Sequence, residues 1–485
     1  MHSWNAINTM SDTFFSTFQN IHLVGIKGVA MTAMAQCLLD LKKTVSGSDV
    51  SEEFVTQQIL DSLSVKVLEF NKDNITKDID AVIYSGAHRG CENPEVVRAQ
   101  ELGIPVFSHA EALGEMMKNK QGISVCGVGG KSTTSAMIAW ILEKAGYDPS
   151  FSVGVGKIRG LDRSGKYARN GKFFVAEADE YATDPGKDHT PRFMHQHPEV
   201  IVCTNLLFDH PDIYKSFDDT KKAYLDFFHN LSYHGHLIIN ADDKELVILA
   251  EKFMREVGTS RNIQLITISG SSSQADYYFS EYSPSKSKSS FIITEKNQDY
   301  AARLIIPGYY NAFNAVCAVA AASVAGIELS HAILLLEDFL GTIRRFEHIG
   351  EIKSVQYYDD YAHHPIEIDN ILHEMNKIYP REKVIAIFQP HTFSRTKTLL
   401  NEFAKALSVA DEVILLDIFS SARELFDPSV TSDMLADKIK SYGKIASNLH
   451  DLSQVAEYLM FSTKPGNVVV TLGAGDLYKL HKMIQ

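Results

Sequence analysis

The stretch Val125-Cys126-Gly127-Val128-Gly129-Gly130-Lys131-Ser132-Thr133-Thr134 decides the fold of the region around it. The residues from Gly122 to Cys126 read as a buried strand, the glycines as a tight turn, and Ser132 to Leu142 as a helix. A strand, a glycine-rich turn, Lys-Ser and a helix together cradle a nucleoside triphosphate. Backbone N–H groups and the helix N-terminus face phosphate oxygens, the lysine ammonium neutralises charge, and the serine hydroxyl reaches Mg²⁺. The spacing is G-x-x-G-K-S, with Val125 where the longer pattern has its first glycine. A bare Gly-Lys-Ser triplet arises often by chance. Three glycines between a strand and a helix favour phosphate binding over a structural glycine turn.

Similar units lie on both sides. Upstream, Ile21-His-Leu-Val-Gly25-Ile-Lys-Gly28-Val-Ala-Met31 is again a strand, a glycine turn and a helix start, followed by Val45-Ser-Gly-Ser-Asp49. This is a Rossmann-type first unit with an acidic residue ending the second strand. Lys27 and Ala30 stand where a dinucleotide fingerprint wants glycine, so another nucleotide fits better than a dehydrogenase cofactor. Alternation continues through Ala81–Ser85 and Ile104–Phe107. After the phosphate loop come strands at Phe173–Ala176, Glu199–Cys203 and His236–Asn240. Ser271 to Tyr300 reads as an antiparallel excursion with a solvated turn around Pro284 to Ser289, and helices from Ala312 to about Leu340 follow. Beyond Gly341, strands are expected at Val355–Tyr358, Val384–Phe388, Glu412–Leu416 and Asn467–Thr471. Short apolar strands between helices predict parallel sheets in all three segments. The expected architecture is α/β with three domains. Rossmann-like N- and C-terminal domains, residues 1–118 and 342–485, flank a central P-loop ATPase domain, residues 119–341, with a mostly parallel sheet.

Composition bounds what such a chain can do. Its 485 residues are too many for one core, and 45% hydrophobic with 22% charged residues is ordinary for a soluble globular protein. A net charge of -13 argues against a nucleic-acid or anionic-membrane surface, so a polyanionic ligand needs a local cationic pocket. Five scattered cysteines, an odd total without a C-x-x-C pair, fit reduced thiols in a cytoplasm. Met1 to Gln19 carries no Lys or Arg and does not make a secretory signal, and Ala312 to Leu336 is too interrupted for a membrane span. A cytoplasmic protein is expected.

Two further clusters carry chemistry. Glu177-Ala-Asp179-Glu180 follows a buried strand directly, where ligands of open α/β folds collect; the alternative is a solvated acidic turn. Thr204-Asn205-Leu-Leu-Phe-Asp209-His210 ends the next strand the same way and suits a cation or phosphate role. The cysteines are absent from both clusters, which removes a zinc reading, and Mg²⁺ prefers oxygen ligands beside phosphates.

In this order the phosphate loop, Glu-Ala-Asp-Glu, Thr-Asn-x-x-x-Asp-His and Pro307-Gly-x-x-Asn311-x-x-Asn314-Ala315 resemble the central domain of the Mur ligase family. Tyr358-Asp-Asp-Tyr-Ala-His-His-Pro365, Phe388-Gln-Pro-His-Thr-Phe-Ser-Arg-Thr396 and Thr471-Leu-Gly-Ala-Gly-Asp-Leu-Tyr-Lys479 resemble the branch that joins L-alanine to UDP-N-acetylmuramate. So do Gly25 to Met31, Ser46-Gly-Ser-Asp49 and Glu92-Asn-Pro-Glu95, and the likeness runs from about Ile21 to Lys482. It implies an ATP-dependent ligase of the cytoplasmic stage of peptidoglycan synthesis. A carboxylate is activated as an acyl phosphate and an amine attacks it, with ATP and Mg²⁺ required and no nucleic-acid or membrane partner. It also implies a monomer or homodimer.

The resemblance further implies residue roles. Gly127, Val128, Gly129, Gly130, Lys131, Ser132 and Thr133 would wrap the phosphates, with Ser132, Glu177 and His210 on metal. Asn314 would read adenine, with Asn311 supporting its loop. Arg345 and Asp360 would arrive on the ATP from the third domain, excluding water. Tyr361, His363, His391 and Arg395 would form the amino-acid end, Arg395 anchoring the alanine carboxylate. For the His363-His364 pair the alternative is a packed turn before Pro365. Gly25, Ile26, Lys27, Gly28, Met31, Ser48, Asp49, Ser85 and His88 would surround the uridine diphosphate.

Several positions depart from the family's usual text. Val128-Gly129 stands for Thr-His, Ser132 for Thr, Tyr310 for His, and Thr392 for an Arg. Tyr181 to Phe193, followed by Phe208-Asp-His-Pro-Asp-Ile-Tyr214, looks more like the murein peptide ligase, which attaches a recycled tripeptide to the same UDP-sugar. Two alternatives follow: a tripeptide-recycling ligase, and a nucleotide-binding regulatory subunit that has lost catalysis.

Overall fold

The structure is a computed structural model and describes residues 13–286, 288–420 and 425–484. Residues 1–12 of the stretch Met1 to Gln19, and Ser287 of the Pro284–Ser289 turn, lie outside them. Three sheets follow one another along the chain. The first holds β1 (Asn20–Val24), β2 (Thr44–Asp49), β3 (Val67–Glu69), β4 (Ala81–Tyr84) and β5 (Val106–Ser108), all parallel, in the order β3-β2-β1-β4-β5. Chain order reverses at β1, and the Gly25 turn opens at that crevice, the usual ligand position in such sheets.

The central sheet has ten strands. They are β6 (Gln121–Cys126), β7 (Ser150–Ser152), β8 (Gly165–Lys166), β9 (Phe173–Glu177), β12 (Val200–Cys203), β13 (His236–Asn240), β14 (Gln264–Ser269), β15 (Tyr277–Pro284), β16 (Ser289–Glu295) and β17 (Gln298–Leu304). Strands β9, β6, β12, β13 and β14 are parallel neighbours, and β15 to β17 add the expected antiparallel extension. β10 (Ala182–Asp184) and β11 (Asp188–Pro191) form a separate hairpin that local periodicity did not reveal.

β6 is buried from Gly122 to Cys126, and the helix Lys131–Lys144 behind it is buried from Ser132 to Leu142, so both faces pack. The helix Tyr309–Val324 lies against it. Ala315, Ala318, Ala320, Ala321 and Ala322 are fully enclosed there, and their small side chains permit close helix approach. Trp140 contributes its ring to this core, and its indole N–H donates to the Leu335 carbonyl at 2.8 Å.

The third sheet holds β18 (Glu347–Ile352), β19 (Val355–Asp360), β20 (Val384–Phe388), β21 (Glu412–Leu415), β22 (Ile445–Asn448) and β23 (Val468–Leu472), in the order β18-β19-β23-β20-β21-β22. Its parallel part was legible. The antiparallel edge β18–β19 departs from the parallel sheet expected for the third segment, and the β7–β8 pair belongs to the antiparallel part of the mostly parallel central sheet. β18 carries polar residues and a register shift at Gly350, so it shows no apolar run to read. No described helix is long and apolar enough to cross a membrane.

Candidate active site

The phosphate loop leaves β6 through two glycines that no other residue could replace without strain. Gly127 has φ +123° and Gly130 φ +85°. A Cβ on Gly127 would collide with the Thr204 hydroxyl, and one on Gly130 would lie 2.5 Å from Asn314 Oδ1. The loop is gripped from the end of β12. Val128 and Gly129 N–H groups donate to Asn205 Oδ1 at 2.8 and 3.2 Å. Asn205 Nδ2 and Thr204 Oγ1 donate back to the Gly129 carbonyl at 2.9 and 2.6 Å. Val128 and Gly129 therefore meet Asn205 through backbone alone, which needs neither the threonine nor the histidine side chain of the usual loop.

Lys131 Nζ lies 2.9 Å from Glu180 Oε2 and 3.1 Å from Oε1. Burial works against its charge, but Glu180, Asp179 and Glu177 outweigh that and hold the ammonium protonated. Arg345, from the loop before β18, donates to Ser132 Oγ at 3.2 Å and sits over the Tyr361 ring at 5.0 Å. Asp360, at the end of β19, accepts from Phe346 N–H at 2.6 Å and Ala362 N–H at 2.7 Å. Burial pushes its carboxyl up to about 7, against the pull of Arg345.

Beyond β9 the acidic motif turns into the same space. Ligand atoms of Asp179, Glu180 and His210 lie within 4.8 Å of one another. Burial drives Glu180 up to about 7, with Asp179 adding to the effect. Burial opposes charge on Asp179 too, but Arg192, Lys131 and His210 hold it below the usual carboxylate range. His210, with φ +56°, is pushed down to about 4 by burial, so its imidazole is neutral at pH 7 and able to ligate a metal. Two carboxylates and a neutral imidazole suit a divalent cation beside phosphates. The expected trio of Ser132, Glu177 and His210 lines the same cavity as these groups. Glu177 stands on the same cavity wall but accepts from Gly154 N–H at 2.8 Å, and the Ser132 hydroxyl receives Arg345.

A cavity of about 240 Å³ joins these groups to Tyr361, His363, His391 and Arg395. The His363 and His391 rings are 6.2 Å apart, and Phe419 stacks on His391 at 5.8 Å. Burial, with Arg395 adding, keeps His363 neutral. His364 separates from its neighbour by capping the helix Pro365–Ile378, so the pair divides between site and structure. Arg395 is buried and paired with Asp209, Nε to Oδ1 at 3.0 Å and Nη2 to Oδ2 at 3.2 Å. A side cavity of only about 20 Å³ opens between Tyr181, His210, His391, Thr392 and Arg395.

A second cavity, about 320 Å³, lies across Gly130 and Thr133 and is bounded by Tyr310, Asn311, Asn314 and Glu367. Asn311 Nδ2 donates to the Pro307 carbonyl at 2.7 Å and so braces the turn before its helix. Room on one side of the phosphate loop suits a base and ribose, and the cationic and acidic groups on the other suit a triphosphate tail.

In the first sheet, Gly25 (φ +83°) and Ile26 N–H groups donate to the Ser48 carbonyl at 2.9 and 3.1 Å, and Lys27 N–H donates to Asp49 Oδ2 at 2.7 Å. Gly28 N–H closes the turn on the Gly25 carbonyl at 3.2 Å. Burial raises Asp49, whose Oδ1 lies 3.6 Å from His88 Nε2. A Cβ on Gly25 would sit 3.0 Å from the Cβ of Ser85, so loop and turn face each other across the crevice. Ile26 and Met31 point into the core, and the Lys27 ammonium is held by the Val50 and Glu52 carbonyls at 2.8 and 2.7 Å. Ile26 and Met31 shape the turn from within, while Lys27 also lines a cavity with Val50, Ser51 and Glu69. Sequence reasoning assigned Asn205 and Asp209 only a general cation or phosphate role, and Asp184 none. The Asn and Asp at the end of β12 were visible as a motif, but their partners lie far along the chain.

Three family models match the chain: "Mur ligase family, catalytic domain" over residues 20–121, "Mur ligase middle domain" over 125–322, and "Mur ligase, glutamate ligase domain" over 344–475. A UDP-N-acetylmuramate–L-alanine ligase of Desulfitobacterium hafniense is 37% identical over 466 residues, covering 95% of this chain and 98% of that protein. Its counterpart in Acetivibrio thermocellus is 34% identical, with 96% and 95% covered. Among solved structures, the UDP-N-acetylmuramate-alanine ligase of Thermotoga maritima superposes with a TM-score of 0.78 at 26% identity, covering 96% of this chain and 98% of that one. A murein peptide ligase from Psychrobacter arcticus shares the fold, with a TM-score of 0.69 at 23% identity and 96% and 98% covered.

Proposed function

The chain belongs to the Mur ligase family, and from that premise we propose that it joins L-alanine to the carboxylate of UDP-N-acetylmuramate, converting ATP to ADP and phosphate, in the cytoplasm. The observation that carries this reading is the contact of Arg345 with Ser132, which sets the third domain's residues on the same cavity as the phosphate loop.

A carboxylate and a γ-phosphate repel, so attack between them needs screening and alignment. Lys131 neutralises phosphate charge from the loop side, and Arg345 does so from the opposite domain. Asp179, Glu180 and His210, with Glu177 and Ser132 nearby, would hold Mg²⁺. Bound there, it would supply charge stabilisation for carboxylate and phosphate. The carboxylate oxygen attacks the γ-phosphorus and ADP leaves. The amine nitrogen, as the free base, then attacks the acyl carbon, the C–O bond breaks, phosphate departs with that oxygen, and the nitrogen loses a proton to the leaving phosphate as the amide forms. Tyr361, His363, His391 and Arg395 position the amine, and neutral His363 and His210 add no repulsion toward its ammonium form.

The identity of 37% over nearly the full length to a UDP-N-acetylmuramate–L-alanine ligase supports L-alanine as the amine. The test offers ATP, Mg²⁺ and UDP-N-acetylmuramate with L-alanine, glycine, L-serine or the murein tripeptide, and measures phosphate release. Preference for L-alanine supports the proposal. Turnover with the tripeptide alone would assign the recycling reaction, and ATP binding without any turnover would assign a regulatory subunit.

A further inference from the structure

The hairpin β10–β11 lies in the stretch whose sequence resembles the murein peptide ligase, and its tip faces the first domain. Asp184 is the focal residue. Its side chain is buried, and Oδ2 accepts the Cys91 N–H at 2.8 Å across the domain boundary. The turn it meets is unusual: His88, Arg89 and Gly90 are consecutive left-handed residues, with φ of +53°, +75° and +51°. Two of them carry side chains that disfavour this region. Such a turn persists only where its surroundings hold it.

Asp184 supplies that hold. A Cβ on Gly90 would collide with the Asp184 carboxylate, so carboxylate and turn interlock at a point only glycine allows. Beside it, a Cβ on Gly86 would lie 2.5 Å from the Thr183 carbonyl. The loop Ser85–Cys91 is therefore seated on the hairpin by two close glycine contacts and one charge-assisted hydrogen bond. On its other side, the same loop presents His88 to Asp49, at 3.6 Å, and to the Phe70 ring, at 5.2 Å. The hairpin in turn is tied to the acidic motif, because Arg192, just past β11, donates to Asp179 Oδ2 at 2.8 Å.

We propose that Asp184 is a positioning residue for the nucleotide-sugar: by filling the left-handed turn at residues 88–90 it fixes His88 and Ser85 at the crevice of the first sheet. The hairpin thereby serves the UDP-sugar end of the site and not the choice of amine. This rests on the UDP-N-acetylmuramate reading above.

The test measures UDP-N-acetylmuramate binding by calorimetry on the full chain, wild type against Asp184→Asn and Asp184→Ala, together with ATP KM and thermal midpoint. The asparagine retains volume and one acceptor oxygen, so it keeps a folded variant available. The expected result is a UDP-N-acetylmuramate Kd raised about tenfold in Asp184→Ala and less in Asp184→Asn, with ATP KM within about twofold of wild type. A purely structural role would lower the thermal midpoint and leave Kd alone. Should only Asp184→Asn fold, a Kd raised at least threefold sustains the proposal. Unchanged Kd in a folded variant overturns it, as would equal losses for both ligands. Absence of binding by the wild type would overturn the UDP-N-acetylmuramate reading itself, and this proposal with it.

Discussion

Arg395 and Asp209 are 186 residues apart in sequence, yet they form a buried two-point ion pair that joins the third domain to the central one. Removing one partner of such a pair leaves an uncompensated charge inside the protein. Arg395→Ala is therefore expected to lower unfolding stability by about 3–5 kcal/mol, whereas pairing Arg395→Met with Asp209→Asn restores most of it. Denaturant titration of the wild type and the two variants checks this.

The same guanidinium carries a functional expectation. Asp209 occupies the Nε–Nη2 edge, while Nη1 lies 3.5 Å from His391 Nδ1 in the amine cavity. If Nη1 holds the amino-acid carboxylate, Arg395→Lys raises the L-alanine KM far more than the ATP KM, because an ammonium cannot reproduce the fork. Equal changes in both would confine Arg395 to its pairing with Asp209.

Lys131→Ala should reduce turnover by about 10³-fold or more, as expected when a preorganised charge at the transferred phosphate is lost. UDP-N-acetylmuramate binding should stay within about twofold, since that ligand is assigned to the first sheet. Steady-state kinetics and calorimetry separate the two effects, and loss of both would contradict the division of labour between domains.

His210→Ala should raise the Mg²⁺ concentration needed for half-maximal rate by about 10–100-fold, the usual effect of losing a group that holds or orients a metal. Because His210 is already neutral near pH 7, with its pKa pushed down to about 4, this requirement in the wild type should not vary between pH 6 and 8 through that residue. A steep pH dependence of the Mg²⁺ requirement that disappears in His210→Ala would contradict this assignment.

Asp360 gives a stability signature. Its carboxyl is raised from 3.8 in the unfolded chain to about 7 in the folded one, so between these values the folded state binds the extra proton. Stability contributed by this residue is complete below about pH 4 and is lost as pH rises toward 7. Asp360→Asn should remove that slope. The stability of the variant relative to wild type should rise with pH across this window, as read by urea unfolding at fixed ionic strength.

The parts of the site that lie within one short stretch were legible beforehand. Strand, glycines, Lys131 and Ser132 are contiguous, and the motifs at the ends of β9 and β12 follow buried apolar runs, so periodicity and position place them together. The partnerships were not legible. Lys131 with Glu180, Arg395 with Asp209 and Asp184 with Cys91 depend on how separate sheets dock, which no local pattern encodes. The edge strand β18 was missed for a different reason: it is polar, bulged at Gly350 and exposed on one side, and its pairing with β19 sets its conformation. The likeness of residues 181–193 to a tripeptide ligase pointed at the amine, whereas the hairpin they form rests on the first domain.

The most direct measurement uses UDP-N-acetylmuramate labelled with oxygen-18 in its free carboxylate, with ATP, Mg²⁺ and L-alanine. Activation of that carboxylate by the γ-phosphate predicts one labelled oxygen in each phosphate released, with release dependent on L-alanine and matched by formation of the alanyl amide. Unlabelled phosphate, or phosphate released at the same rate without L-alanine, would contradict the proposed ligase.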